Sequence, residues 1–168
     1  MNEISKIFSD AIYEQYGAAI GMLENNLKSC PKELWDDRVN GPPFWYVAYH
    51  AMWYLDWYLS DSQIARESFK SKFGEDLSQD LNKSPEITLT RKQLLEYLSE
   101  IKEKTKNRFG DLTTDDLLKP SIFEWHGNSV LSSLLYNLRH IMLHIGTLNL
   151  RLHRKGVKLN NWISNQRI

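Results

Sequence analysis

The chain has 168 residues, 42% hydrophobic and 25% charged, the composition of an ordinary folded protein large enough to bury one core. Its 21 Lys and Arg balance 21 Asp and Glu, so neither a basic nucleic-acid surface nor a charged tail is expected. One cysteine, Cys30, excludes an intramolecular disulfide and fits a reducing compartment.

The start, Met1-Asn2-Glu3-Ile4-Ser5-Lys6, lacks the apolar segment of a signal peptide, and no apolar run is long enough to span a membrane. The expectation is one cytoplasmic domain, residues 1–168, without nucleic-acid or membrane partners. A first helix is predicted from about Asn2 to Lys28, with Ile4, Ile7, Phe8, Ala11, Ala18, Met22 and Leu27 near a three-to-four residue spacing and Pro31 beyond its end. After the turn-like Asn40-Gly41-Pro42-Pro43, a second helix is predicted from Pro43 to Ser60, its apolar face made by Phe44, Val47, Ala48, Ala51, Leu55 and Leu59.

Residues from about Lys70 to Leu89 lose this regularity, with Gly74, Ser78, Asn82, Ser84 and Pro85 among charges; they read as a long crossover that starts with a short helical turn. Thr90 and Gln93 form a capping-box pattern opening a third helix to about Phe109, with Leu94, Leu95, Leu98 and Ile101 inward and Gly110 as the stop. Asp111 to Asn128 reads as an irregular link around Pro120. Asn128 or Ser129 then caps a last helix that Gly156 ends behind His153-Arg154-Lys155. The architecture that follows is all-α, a four-helix bundle with a long crossover between helices 2 and 3.

The last helix contains His140 and His144. Residues four apart lie about 40° apart around a helix and one turn above each other, the spacing with which one helix offers two imidazoles to one metal ion. Leu131, Leu134, Leu138, Ile141, Met142, Ile145, Leu148 and Leu152 define the apolar face, and the two histidines stand about 100–140° from its middle. They border the core on a side shared with Ser133, Asn137, Thr147 and Arg151, which suits a polar cleft. Two imidazoles alone hold zinc weakly, and such pairs also arise as surface or capping histidines. His50, inside the aromatic second helix, supplies a third nitrogen, and three nitrogens with an open position make a catalytic zinc arrangement. No acidic residue shares the His140/His144 face, which disfavours a two-histidine, one-carboxylate iron site.

Of the other histidines, His153 opposes the helix dipole in the last turn, and His126 reads as a solvated loop residue within reach of a cleft. Trp45-Tyr46, Trp53-Tyr54 and Trp57-Tyr58 either line an apolar pocket beside His50 or serve as core and dimer contacts. Asp56 and Glu124 are candidate orienting or acid/base groups, or else surface charges. Cys30 has no base near it in sequence and reads as an idle thiol. There is no phosphate-binding Gly-rich loop and no G-x-S-x-G nucleophile motif.

Phe44 to Leu59 with His50 inside, His140-x3-His144-x-Gly146, and the closing Leu150-Arg151-x4-Gly156 resemble the DinB-like family over nearly the whole chain. Thr147 stands where that family often has Gln. The resemblance implies a bundle of the up-down-down-up kind, frequent dimers, and a divalent metal, usually zinc or nickel, held by one histidine of the second helix and two of the last. Here these would be His50, His140 and His144.

The resemblance also implies an enzyme acting on a small molecule through a metal-bound thiolate or hydroxide, either transferring a low-molecular-weight thiol to an electrophile or hydrolysing a bond. Two other readings stand beside it: a non-catalytic metal- or small-ligand-binding module, and an interaction protein whose histidines are incidental.

Overall fold

Among the described residues, prolines and caps delimit four long and three short α-helices. The computed structural model describes residues 3–39, 41–74, 77, 80–83, 85–110, 112–158 and 162–168, with side chains from residue 6 onward. Met1, Asn2, the Ile4 side chain, Asn40, Ser78, Ser84 and Asp111 therefore lie outside the described residues. The long helices are α1 (Glu3–Ser29), α3 (Phe44–Tyr58), α5 (Arg91–Gly110) and α7 (Val130–Arg154); the short ones are α2 (Lys32–Trp35), α4 (Gln63–Glu67) and α6 (Thr114–Leu118). Among the described residues there is no strand, and no helix is long and apolar enough to cross a membrane.

The helix ends are set by local chemistry. Pro43 stands just before α3, where its missing N–H costs nothing. Thr90 and Gln93 make the reciprocal box at the start of α5: the Thr90 N–H donates to Gln93 Oε1 at 2.9 Å and the Gln93 N–H to Thr90 Oγ1 at 3.2 Å. Ser129 Oγ accepts from the Ser132 N–H at 3.1 Å and opens α7. Gly156, at φ 75°, ends it in the left-handed conformation that glycine adopts without a Cβ penalty.

The link expected to be irregular between residues 111 and 128 contains α6, capped by a full box between Thr113 and Asp116, and a 3-10 turn at Glu124–His126. Gly110 is the last residue of α5 and not the stop beyond it.

The long helices surround one core: α3 packs on α7 and α5, and α1 on α5 and α7. The apolar faces expected of α3, α5 and α7 point inward, with Leu95, Leu131, Leu138 and Met142 at the edge. The start of α1 differs. Ile7, Phe8 and Ala11 are exposed, while Ala18, Met22 and Leu27 are buried as expected, beside Ile12, Tyr16, Ala19, Ile20 and Leu23.

Buried and half-buried polar ties fix the helices against each other. Asp56 on α3 accepts from the Tyr97 hydroxyl at 2.8 Å and pairs with Lys104 Nζ at 2.6 Å, both on α5. The Tyr16 hydroxyl donates to the Leu134 carbonyl at 2.7 Å, and Asn137 Nδ2 to the Leu55 carbonyl at 3.2 Å.

The crossover is held down at several points. The Trp35 indole donates to the Leu89 carbonyl at 2.8 Å, the Tyr46 hydroxyl to the Asp80 carbonyl at 3.1 Å, and Leu77 is buried.

The C-terminal residues 162–168 lie along α1. A Cβ on Gly17 would stand 1.9 Å from the Gln166 carbonyl oxygen, so only glycine admits the tail there. The Gln166 N–H donates to the Glu14 carbonyl at 3.2 Å, and Arg167 pairs with Asp10 and Glu14.

Candidate metal centre

The packing of α3 on α7 brings together the three histidines singled out in the sequence. Ligand-capable nitrogens of His50, His140 and His144 all lie within 4.8 Å of one another. His140 Nε2 and His144 Nε2 are 3.1 Å apart, and the His50 ring centroid is 4.6 Å from His144 and 5.5 Å from His140. Metal–nitrogen bonds of about 2.0–2.1 Å at tetrahedral angles put two ligand atoms about 3.3 Å apart. The α7 pair is close to that separation, and a ligand-capable His50 nitrogen lies within 4.8 Å of both.

Two Nε2 atoms at this distance face one another with room for one proton or one cation. A cation accepts both lone pairs, so the donor set fits a divalent metal.

The electrostatics favour the ligating form. His144 is buried and His140 half-buried. Burial, reinforced by the neighbouring histidines, pulls His140 down to about 4 and His144 to about 3 from the ordinary 6.5. Both are therefore neutral at pH 7, with lone pairs to donate. The α7 side expected to be a polar cleft is more structural than that. Asn137 is fully buried and tied to α3, and Arg151 Nη1 donates to the Pro42 carbonyl at 2.7 Å. Thr147 is exposed and bonds its own helix at the Leu143 carbonyl.

Tyrosines wall the centre. The Tyr54 ring is 4.8 Å from His50 and 5.1 Å from His140, and Tyr58 is 6.2 Å from His140. Tyr136 completes the wall against Tyr58 at 5.7 Å, with the Arg139 guanidinium over it at 5.1 Å. Tyr136 is one turn before His140, so the spacing that finds the histidines also finds it.

The aromatic pairs thus divide. Trp45 and Tyr46 are core, Trp45 donating to Asp36 Oδ1 at 2.8 Å, while Tyr54 and Tyr58 face the histidines. Trp53 and Trp57 lie against Phe69 and Phe123.

His126 is not a solvated loop residue. It is buried, stacked on Tyr136 at 3.9 Å and edge-on to Tyr58 at 4.3 Å, with Nδ1 3.3 Å from Ser133 Oγ. The 3-10 turn swings it inward, and burial lowers its pKa to about 4.

Asp56 faces α5 and not the histidines, and Glu124 is exposed. His153 is exposed in the last turn, as expected. Cys30 is buried, and its thiol is pushed up to about 12, so it is no nucleophile at neutral pH.

Asp80 has no sequence signal. The Tyr46 hydroxyl, one turn before His50, anchors its backbone. Its carboxyl is held below the usual range by hydrogen bonds from Asn82, with a smaller contribution from His50.

The family model described as the DinB superfamily matches residues 15–148, well over half of the chain and including all three histidines. No significant match was found among curated proteins or solved structures. The chain belongs to the DinB superfamily.

Proposed function

We propose that this DinB-superfamily chain is a metal-dependent enzyme acting on a small molecule, with His50, His140 and His144 holding one zinc or nickel ion. The observation that carries the reading is the convergence of three imidazoles, two of them kept neutral by burial. A divalent ion in such a set supplies a Lewis acid that lowers the pKa of a thiol or water in its open position.

The chain's own residues do the rest. Tyr54, Tyr58 and Tyr136 give an apolar wall for the body of an electrophile, and Arg139 gives a cation at its rim for an anionic group. Thiol transfer is the preferred reaction, hydrolysis the other: the thiol loses its proton to solvent, its sulfur bonds the electrophilic carbon, and the bond from that carbon to the leaving group breaks, the leaving group departing with the electron pair. The up-down-down-up helix order and a homodimer belong to the same proposal. Leu135, Leu143 and Leu150 are exposed on α7 as a surface for the second copy.

The test is consumption of a chloronitrobenzene by metal-loaded protein with and without cysteine or glutathione, beside a panel of esters and amides. Turnover that needs both thiol and metal and is lost in His144→Ala supports thiol transfer. Thiol-independent ester or amide cleavage makes the protein a hydrolase. Metal binding without turnover of either class makes it a non-catalytic binding module.

A further inference from the structure

A cavity of about 310 Å³ lies between the ends of α3, α5 and α7; none of the three clustered histidines lines it, and the Tyr58 ring at its edge lies 6.2 Å from His140. It is lined by apolar side chains, among them Phe123, Val130 and Leu134, and by Arg108 and Ser60. Ser60 is more than nine-tenths buried, and its Oγ has no hydrogen-bond partner among the described residues. A buried hydroxyl without a partner is uncommon and calls for a ligand or a water. Arg108, half-buried on α5, has no hydrogen-bond or ion-pair partner among the described residues. Three other polar side chains of the lining are committed elsewhere. Lys119 pairs with Asp116 at 2.6 Å, and the Ser121 and Ser133 hydroxyls bond each other at 2.5 Å.

We propose that this cavity is a binding site for a small organic carboxylate, its oxygens on the Arg108 guanidinium and the Ser60 hydroxyl and its apolar body against Phe123, Val130 and Leu134. A guanidinium is built to hold a carboxylate by paired hydrogen bonds, and the hydroxyl donates one more. The volume takes a molecule of about ten non-hydrogen atoms, at ~30 Å³ for each water-sized group. The apolar walls favour an organic acid over inorganic phosphate. The exposed Asp61 carboxylate borders the cavity and opposes an anion, which selects against more highly charged ligands. The site uses none of the three clustered histidines and does not depend on the metal reading.

The experiment is calorimetric titration of the full chain with benzoate, beside benzamide, benzylammonium and inorganic phosphate at equal ionic strength. Benzoate is expected to saturate one site, with the other three at least tenfold weaker. Arg108→Gln is expected to weaken benzoate about tenfold or more, the worth of a charge-assisted pair, and Ser60→Ala less. Asp61→Asn is expected to strengthen it. His144→Ala is expected to bind benzoate as the parent does. Unfolding midpoints of the variants establish that each is folded, and Ser60→Ala carries the test if Arg108→Gln is not. No saturable benzoate binding, benzamide binding as tightly as benzoate, or affinity indifferent to both Arg108→Gln and Ser60→Ala overturns the proposal. So does binding lost in His144→Ala, which would place benzoate at the histidines.

Discussion

Asp56→Ala is expected to cost about 2–4 kcal/mol of stability while leaving metal binding intact. Asp56 ties α3 to α5 through the Tyr97 hydroxyl at 2.8 Å and Lys104 at 2.6 Å. Tyr97 is 2% exposed, so the substitution strands its hydroxyl away from water. A hydrogen bond to a charged acceptor is worth about 1.5–3 kcal/mol, and leaving the buried donor unpaired forfeits it in full. The Lys104 side chain is 36% exposed and keeps the Asp56 backbone carbonyl at 2.7 Å, so its share is ~1 kcal/mol or less.

Tyr97→Phe removes the stranded group and is expected to cost only about 1 kcal/mol. The double variant should then show a coupling of about 1–2 kcal/mol. Urea denaturation of the four proteins reads these values, with a midpoint temperature drop of roughly 5–12 °C for Asp56→Ala as the thermal counterpart. An Asp56→Ala loss under about 0.5 kcal/mol with no coupling to Tyr97 would refute the tie. Loss of metal binding with unchanged stability would return Asp56 to the site.

Metal-free protein is expected to lose stability as pH falls from about 6.5 towards 4. The unfolded chain's histidines take up protons at their ordinary 6.5, whereas buried His126, His140 and His144 resist until about 4, 4 and 3. The contribution is fully present above pH 6.5, and a urea midpoint flat between pH 7 and 5 would contradict it. Gly17→Ala places a Cβ against the Gln166 backbone oxygen, so the tail must lift. Alanine's helix preference of about 1 kcal/mol offsets part of the loss, so the clearer readout is faster carboxypeptidase trimming of residues 162–168. Trimming at the parent rate would show that the tail is not seated on Gly17.

Much of the bundle is legible in the sequence because its signals are local. The Thr90/Gln93 box, the Ser129 cap, Gly156 and the 3.6-residue stripes of α3 and α7 each act within a few residues of their cause. The same arithmetic pairs His140 with His144. That His50 approaches them depends on how α3 packs on α7, which no spacing within one helix contains; there the family resemblance points where periodicity cannot.

The departures have the same origin. Ile7 and Phe8 have helical spacing but are exposed, left uncovered by the described residues. The polarity of its turn gives His126 the look of a solvated residue, yet the 3-10 turn delivers it onto Tyr136. Asp56 is claimed by α5, and Asp80 arrives from the crossover on the Tyr46 hydroxyl. The Thr113/Asp116 box is readable at its three-residue spacing, but Pro120 close behind it makes the segment look irregular.

The measurement that bears most directly on the three-histidine centre is metal content per chain, by elemental analysis of protein purified without a histidine tag. Parent protein is compared with His50→Ala, His140→Ala and His144→Ala. About one zinc or nickel per chain in the parent, lost in all three variants while each remains helical and folded, is the expected result. A parent that carries no divalent metal and takes up none when zinc or nickel is added would contradict the centre. Metal retained through all three substitutions would do the same, by placing it elsewhere.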